Sequence, residues 1–357
     1  MIKKIIVMTI LLFLIGCVIE PREEIQKENV NDTQIQAGEV IVKESAVEEK
    51  SVDIRRCNDG TLYNECSVQK PYYCLDGNII KKASVCGCPK NQIASYENCV
   101  SAFEITPFEQ TFTYTLNGRE NSISLTVYKE LNDFLSAKPR KYYCNPECPS
   151  SREIEMKYID NTEQKPYMKK LVSKIKSKTS DKKEQARIAI ALVQRIPYAD
   201  TERRNNALTG RYPYEVLFDN RGVCGEKSLL LAFLLREIGY GVSLFHYPEE
   251  KHMTVGLKCP LEYSYQESGY CFIETVEPII PTYIPSKYVD IGSLDSDPEI
   301  IQVSEGKTFD ISEEYSDARE LKRINSIGLV LQPKDYAIWR DLMKKYGIYV
   351  RGRLFFR

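Results

Sequence analysis

Histidine is nearly absent from this chain, with two in 357 residues, and tryptophan occurs once. None of the twelve cysteines forms a CxxC pair, so zinc is a poor alternative to disulfides, and no clustered metal-ligand set appears in the sequence. An excess of charge of either sign is also missing. The formal net charge of −1 provides no field to attract a polyanion, which argues against a nucleic-acid partner. A local basic group, Lys344, Lys345, Arg351, Arg353 and Arg357, could touch a membrane or nucleic acid, but the plainer reading is a solvated helix face followed by an end strand. No phosphate loop or nucleotide fingerprint is present, so nothing calls for a cofactor.

Long apolar runs are missing too. The longest candidate lies in "MIKKIIVMTILLFLIGC", where Ile5 to Ile15 follow two lysines. Eleven residues fall well short of the ~20 that span a bilayer as a helix. They fit the core of a secretory signal peptide over residues 1–17. The ending "LIGC" resembles the lipobox of prokaryotic lipoproteins. That resemblance makes Cys17 the lipidated anchor of a membrane-tethered, extracytoplasmic, cell-surface protein. Residues 18–56 have no aromatic residue and little periodicity, so they cannot offset the entropy of ordering and read as a flexible tether.

What is abundant is cysteine. Residues 57–99 hold Cys57, Cys66, Cys74, Cys86, Cys88 and Cys99 among Gly, Pro, Asn and Asp turn signals. Outside a cell, this reads as a small module stapled by three disulfides, with fifteen possible pairings. Residues 100–150 carry an alternating pattern with Phe112, Tyr114 and Leu116 on one face. Ile123, Leu125 and Val127 share a face of the return strand, with "NGREN" as the hairpin loop. Cys144 and Cys148 are near enough to close a tight loop, or either pairs elsewhere.

Helical periodicity follows in "PYMKKLVSKIKSK" and in "DKKEQARIAIALVQRI", where Asp181 and Glu184 suggest a reciprocal cap. A third helix is expected from Cys224 to Glu237, stopping near Gly239. The segments "GVSLFHY", "KHMTVGLKC" and "GYCFIETVEP" read as strands. Helices followed by antiparallel strands predict an α+β domain over residues 151–300. A helix and a last strand, "YVRGRLFF", make a C-terminal extension over 301–357.

Cysteine parity singles out one residue. With Cys17 as anchor, eleven cysteines remain, so at least one thiol is unpaired in a monomer. Cys259 and Cys271 flank a loop between two strands and suit a cross-strand bridge, which leaves Cys224. A cysteine at a helix N-terminus feels unpaired N–H groups and the positive end of the dipole, both favouring thiolate. The plainer readings are a buried inert cysteine or an intermolecular bridge. A nucleophilic thiolate needs a base and an orienting group. His252 opens one following strand, His246 ends the one before it, and Glu274 and Glu277 follow on the next. On a strand those two acids face opposite ways, so at most one meets the imidazole.

"GVCGEKSLLLAFLLREIGYGV", "HMTVGL" and "YCFIETVEP" together resemble the transglutaminase-like superfamily, a branch of the papain-like cysteine enzymes. The lead-in "LVQRIPYADTERRNNALTGRYPYEVL" resembles its prokaryotic members. The likeness covers roughly residues 165–295. It implies a papain/transglutaminase-like core with Cys224 as nucleophile, His252 as general base and acid, and Glu274 as its orienting group. Aspartate is more usual at that last position. The implied reaction is acyl transfer from an amide of a peptide or protein substrate, more in keeping with a hydrolase than a cross-linker. An oxyanion would be met by the Cys224 N–H, with Gln194 or Tyr212 as candidates for a second donor. The superfamily also includes members that keep the fold only for protein or glycan binding.

Overall fold

The computed structural model describes residues 55–140, 144, 147–199, 210–288, 292–328 and 330–348. The expected signal segment, Cys17, nearly all of the tether and the last predicted strand lie outside the described residues.

The six-cysteine segment folds as two small hairpins, β1 (Tyr72–Leu75) with β2 (Asn78–Lys81), and β3 (Gln92–Ser95) with β4 (Asn98–Ser101). A single helical turn, α1 (Ala83–Cys86), joins them. Four-residue strands with mostly exposed side chains bury little apolar area, so cross-links hold the segment instead. The bridges are Cys57–Cys74, Cys66–Cys86 and Cys88–Cys99. Cys144–Cys148 and Cys259–Cys271 complete the set, and Cys224 is the free cysteine among the described residues. Five disulfides are consistent with an extracytoplasmic location. No helix among the described residues is long and apolar enough to cross a membrane.

β5 (Pro107–Leu116) and β6 (Arg119–Tyr128) form the expected hairpin, with Phe112 opposite Ile123 and Gln110 opposite Leu125. Phe112, Tyr114, Ile123, Leu125 and Val127 are buried, as period-two alternation requires. The loop is tighter than "NGREN": Asn117 and Gly118, both at positive φ, make the whole turn, and pairing resumes at Arg119. The alternation ends at Tyr128, beyond which α2 (Lys129–Ser136) buries Leu131 and Leu135, four apart on one helical face. A further helix without a counterpart in the sequence reading, α3 (Ser151–Ile159), starts at a capping box. Glu153 accepts from the Ser150 N–H at 2.8 Å while its own N–H bonds Ser150 Oγ at 3.3 Å.

α4 (Lys165–Lys178) and α5 (Lys182–Arg195) follow the predicted periodicity. Asp181 caps α5 by accepting from the Lys183 N–H, but the reciprocal arm is absent. The Asp181 N–H goes to Thr179 Oγ1 rather than to Glu184. After the short α6 (Pro213–Asp219) comes α7 (Cys224–Ile238), closed by Gly239 at φ 112°. Leu229 to Leu235 are seven consecutive buried apolar residues. A helix apolar on every side must be surrounded, and α7 is packed by α3, α4, α5, α6 and the sheet.

That sheet is fully antiparallel, ordered β10 (Glu299–Ser304), β7 (Val242–Tyr247), β8 (His252–Lys258), β9 (Tyr270–Ile273). Three of its strands match the segments read from sequence, and β10 is the unforeseen fourth. The described chain is thus mixed α+β. Leu244, Val255, Leu257 and Ile273 face the helical core, while Phe245, Tyr247 and Phe272 form a second cluster. Two helices, α8 (Ser312–Ile327) and α9 (Pro333–Tyr346), pack together through Ala318, Leu321, Leu342 and Met343. Of the basic group near the C-terminus, Lys345 pairs with Glu313 at 2.8 Å and with Asp317 at 2.5 Å.

Candidate active site

The start of α7 is pinned before Cys224 is reached. The Gly222 N–H bonds the Pro197 carbonyl and its own carbonyl accepts from Ala199 N–H, each at 3.2 Å. Glu226 accepts the Val223 N–H at 3.1 Å and is itself clamped by Arg211 Nε and Nη2 at 3.1 and 3.0 Å. Cys224 is therefore the first helical residue, where its N–H has no acceptor within the helix. A Cβ added to the neighbouring Gly225 would meet nothing within 4 Å, so the space beside Cys224 is open.

Two strand ends bring partners to this thiol. His252 is the first residue of β8 and Glu274 directly follows β9. Cys224, His252 and Glu274 are 8%, 3% and 1% exposed. His252 Nε2 lies 3.0 Å from Glu274 Oε2, and the Cys224 thiol, whose sulfur is 3.9 Å from the Lys251 carbonyl, is close enough to the imidazole for each to shift the other's titration. The other carboxylate oxygen, Oε1, accepts the N–H groups of Thr275 at 2.7 Å and Val276 at 3.1 Å.

These contacts set the charges. Burial alone would raise the Cys224 thiol, but the hydrogen bond and charge of His252, with the Met253 N–H, bring it below the ordinary thiol value. Burial likewise disfavours imidazolium, yet Cys224 and Glu274 together push His252 up to about 10. For Glu274 the desolvation cost is outweighed by His252 and the two backbone N–H groups, so its carboxyl sits below the usual range. The contacts thus favour the ionised forms, a thiolate beside an imidazolium beside a carboxylate. Such a thiolate is the attacking species in nucleophilic catalysis.

A layer of side chains absent from the sequence reading supports the three. Ser228, one helical turn beyond Cys224, donates to the Met253 carbonyl at 3.0 Å and lies 3.1 Å from Thr275 Oγ1. Thr275 Oγ1 also approaches the Cys224 carbonyl at 3.5 Å. Helix, strand and acid loop are thereby joined through two buried hydroxyls. The i,i+4 spacing was the available signal for Ser228. The His252 ring packs near Tyr288 and Tyr247, at centroid distances of 5.1 and 6.4 Å. Tyr288 sits 36 residues from His252, and no local pattern pointed to it. Glu250 accepts from Asp295 and Ser296 N–H at 3.0 and 2.8 Å, tying a later loop to the turn before His252.

The other candidates go elsewhere. Gln194 is buried, and its amide nitrogen donates to the carbonyls of Glu274 and Ile279, each at 3.0 Å. Both hydrogens are used, so the side chain braces the acid loop instead of offering an oxyanion donor. Tyr212 caps α6; its ring packs on Tyr158 at 5.0 Å and beneath Arg140, which makes it a packing residue of the helical layer. His246 stands on the opposite face of the sheet from His252, with Nδ1 3.5 Å from Glu299. Glu277 is exposed. No group of three or more His, Cys, Asp or Glu side chains suited to a metal occurs among the described residues. No protein-family model matches the chain, and no curated protein matches it.

Proposed function

We propose that this protein is an extracytoplasmic thiol enzyme of transglutaminase-like, papain-related architecture, tethered to the membrane by lipid at Cys17. It acts on amide bonds of peptide or protein substrates, as a hydrolase. The observation that supports this most directly is the buried row of Cys224, His252 and Glu274, drawn from a helix start and two strand ends. The motifs "GVCGEKSLLL", "HMTVGL" and "YCFIETVEP" agree with it.

The chemistry follows from the charges. The Cys224 thiolate attacks the substrate carbonyl carbon, forming a C–S bond while the carbonyl oxygen takes up negative charge. The unused N–H of Cys224 at the helix start is the donor placed to meet that oxygen. The tetrahedral adduct collapses, the C–N bond breaks, and His252 gives its proton to the departing amine. The neutral imidazole then takes a proton from water as its oxygen attacks the thioester. Cys224 leaves as thiolate, the acid product departs, and His252 again carries its proton. Glu274 keeps its charge throughout and holds the imidazole in register.

The test uses protein lacking residues 1–17. Iodoacetamide should label Cys224 rapidly near neutral pH, and profiling against a peptide library should give turnover that Cys224→Ala abolishes. Slow labelling with an ordinary alkaline thiol pKa, together with no turnover, overturns the enzyme reading in favour of a binding module.

A further inference from the structure

One turn into α7, Lys227 is fully buried, at 0% exposure. A lone ammonium in a protein interior is costly unless each hydrogen finds an acceptor. Here the three donors meet three carbonyl oxygens: Ile196 at 2.6 Å, Val276 at 2.9 Å and Gln194 at 3.4 Å. Two acceptors lie at the end of α5, and the third lies two residues after Glu274. Gln194 donates to the carbonyls of Glu274 and Ile279 from the same place. The loop from Glu274 to Ile279 is thus held at three carbonyls by two side chains. One of those side chains grows from the helix that begins at Cys224.

We infer that Lys227 is a positioning residue whose ammonium latches the Glu274 loop to the Cys224 helix and favours the ionised thiolate and carboxylate. This rests on the reading of Cys224, His252 and Glu274 given above. Apolar filling of the same space would be cheaper than burying a charge, so the lysine is best explained by what its charge and donors do. Glu274 and Glu277 from the loop, and Cys224 from the same helix, are the charges that act on it. Burial lowers its pKa to about 7 against their attraction, so the latch loses a proton, and one of its three donors, near neutrality.

The experiment needs no substrate. Iodoacetamide alkylation of Cys224 is followed against pH in the wild type and in Lys227→Met, with folding checked by circular dichroism. The expected result is a folded variant whose alkylation is about tenfold slower below pH 7, with the difference shrinking above pH 8, where the wild-type lysine is already neutral. A folded variant with the wild-type profile overturns the latch and leaves the thiol reading standing. A wild-type thiol with an ordinary alkaline pKa overturns both.

A second measurement does not depend on the folding of Lys227→Met. Lysine ¹³Cε resonances are titrated by NMR in the wild type and in Cys224→Ala. One lysine should titrate near pH 7 and move to lower pH when the thiolate is removed, because coupling between two sites is reciprocal. No lysine titrating there, or one that does not move, overturns the inference.

Discussion

Glu274 backs the imidazole of His252 from a distance of 3.0 Å, and both side chains are buried. The pair joins two neighbouring strands of one sheet and aims the ring at a helix N-terminus. That arrangement gives Glu274 one orienting contact and one electrostatic task, which a mutation can separate. Glu274→Gln keeps the size and removes the charge, so turnover should fall by about 10²–10⁴ while binding of substrate changes little. Glu274→Asp should recover part of the loss. Steady-state kinetics on the best library peptide decides this, and a Glu274→Gln enzyme with unchanged kcat contradicts the triad.

The two ends of the pH profile belong to different groups. The Cys224 thiol lies below its ordinary value and His252 lies near 10, so thiolate and imidazolium coexist between those limits. The proposed hydrolysis needs both and should decline as pH rises through about 10, where His252 loses the proton that a leaving amine would require. Alkylation needs only the thiolate and should not decline there. In His252→Ala, alkylation near pH 7 should drop by about tenfold or more, as the thiol loses its cation. Parallel rate measurements over pH 5–11 read both limbs.

Glu155 should govern an acid-to-neutral change in stability. Burial, with Glu299 nearby, raises its pKa from 4.5 to about 7. The folded state therefore holds a proton that the unfolded chain has released. The stability it contributes is fully present below about pH 4.5 and is lost as pH rises through about 7. Glu155→Gln should accordingly be more stable than wild type at pH 8, by ~1–3 kcal/mol, and nearly equal to it at pH 4. Denaturant titrations at the two pH values test the sign.

Cys259–Cys271 closes a short loop between the end of β8 and the start of β9, three residues before Glu274. Replacing both cysteines with serine should cost ~2–4 kcal/mol by freeing the unfolded chain. It should lower the melting temperature by about 5–10 °C. A melting temperature within 1 °C of wild type would contradict this.

Much of the architecture was legible in local pattern. The β5–β6 alternation, the spacing of α4 and α5, the apolar α7 with its Gly239 stop, and the three strands after it all follow from side-chain periodicity, which is a property of neighbouring residues. What escaped was short or weakly patterned. β10 has six residues, and α2 was hidden by the strand alternation that runs into it. α3 is announced by a capping box and little else. Gln194 and Tyr212 were misplaced for another reason: their side chains turn inward to acceptors and rings far along the chain, and spacing contains no information about that.

The sequence by itself pointed to a spare thiol once Cys17 is set aside as the expected anchor, placed that thiol at the start of a helix, and put a histidine and an acid on the strands that follow. Composition, parity and periodicity suffice for such statements, because each depends on counting or on local geometry. Only the tertiary structure decided that the three side chains are brought together, that Nε2 of His252 is the nitrogen facing Glu274, and how the six cysteines pair. It also decided that Ser228, Thr275 and Lys227 connect helix to loop. Those outcomes depend on how strands cross and where buried donors find acceptors. Residues fifty positions apart become neighbours only when the core closes around them.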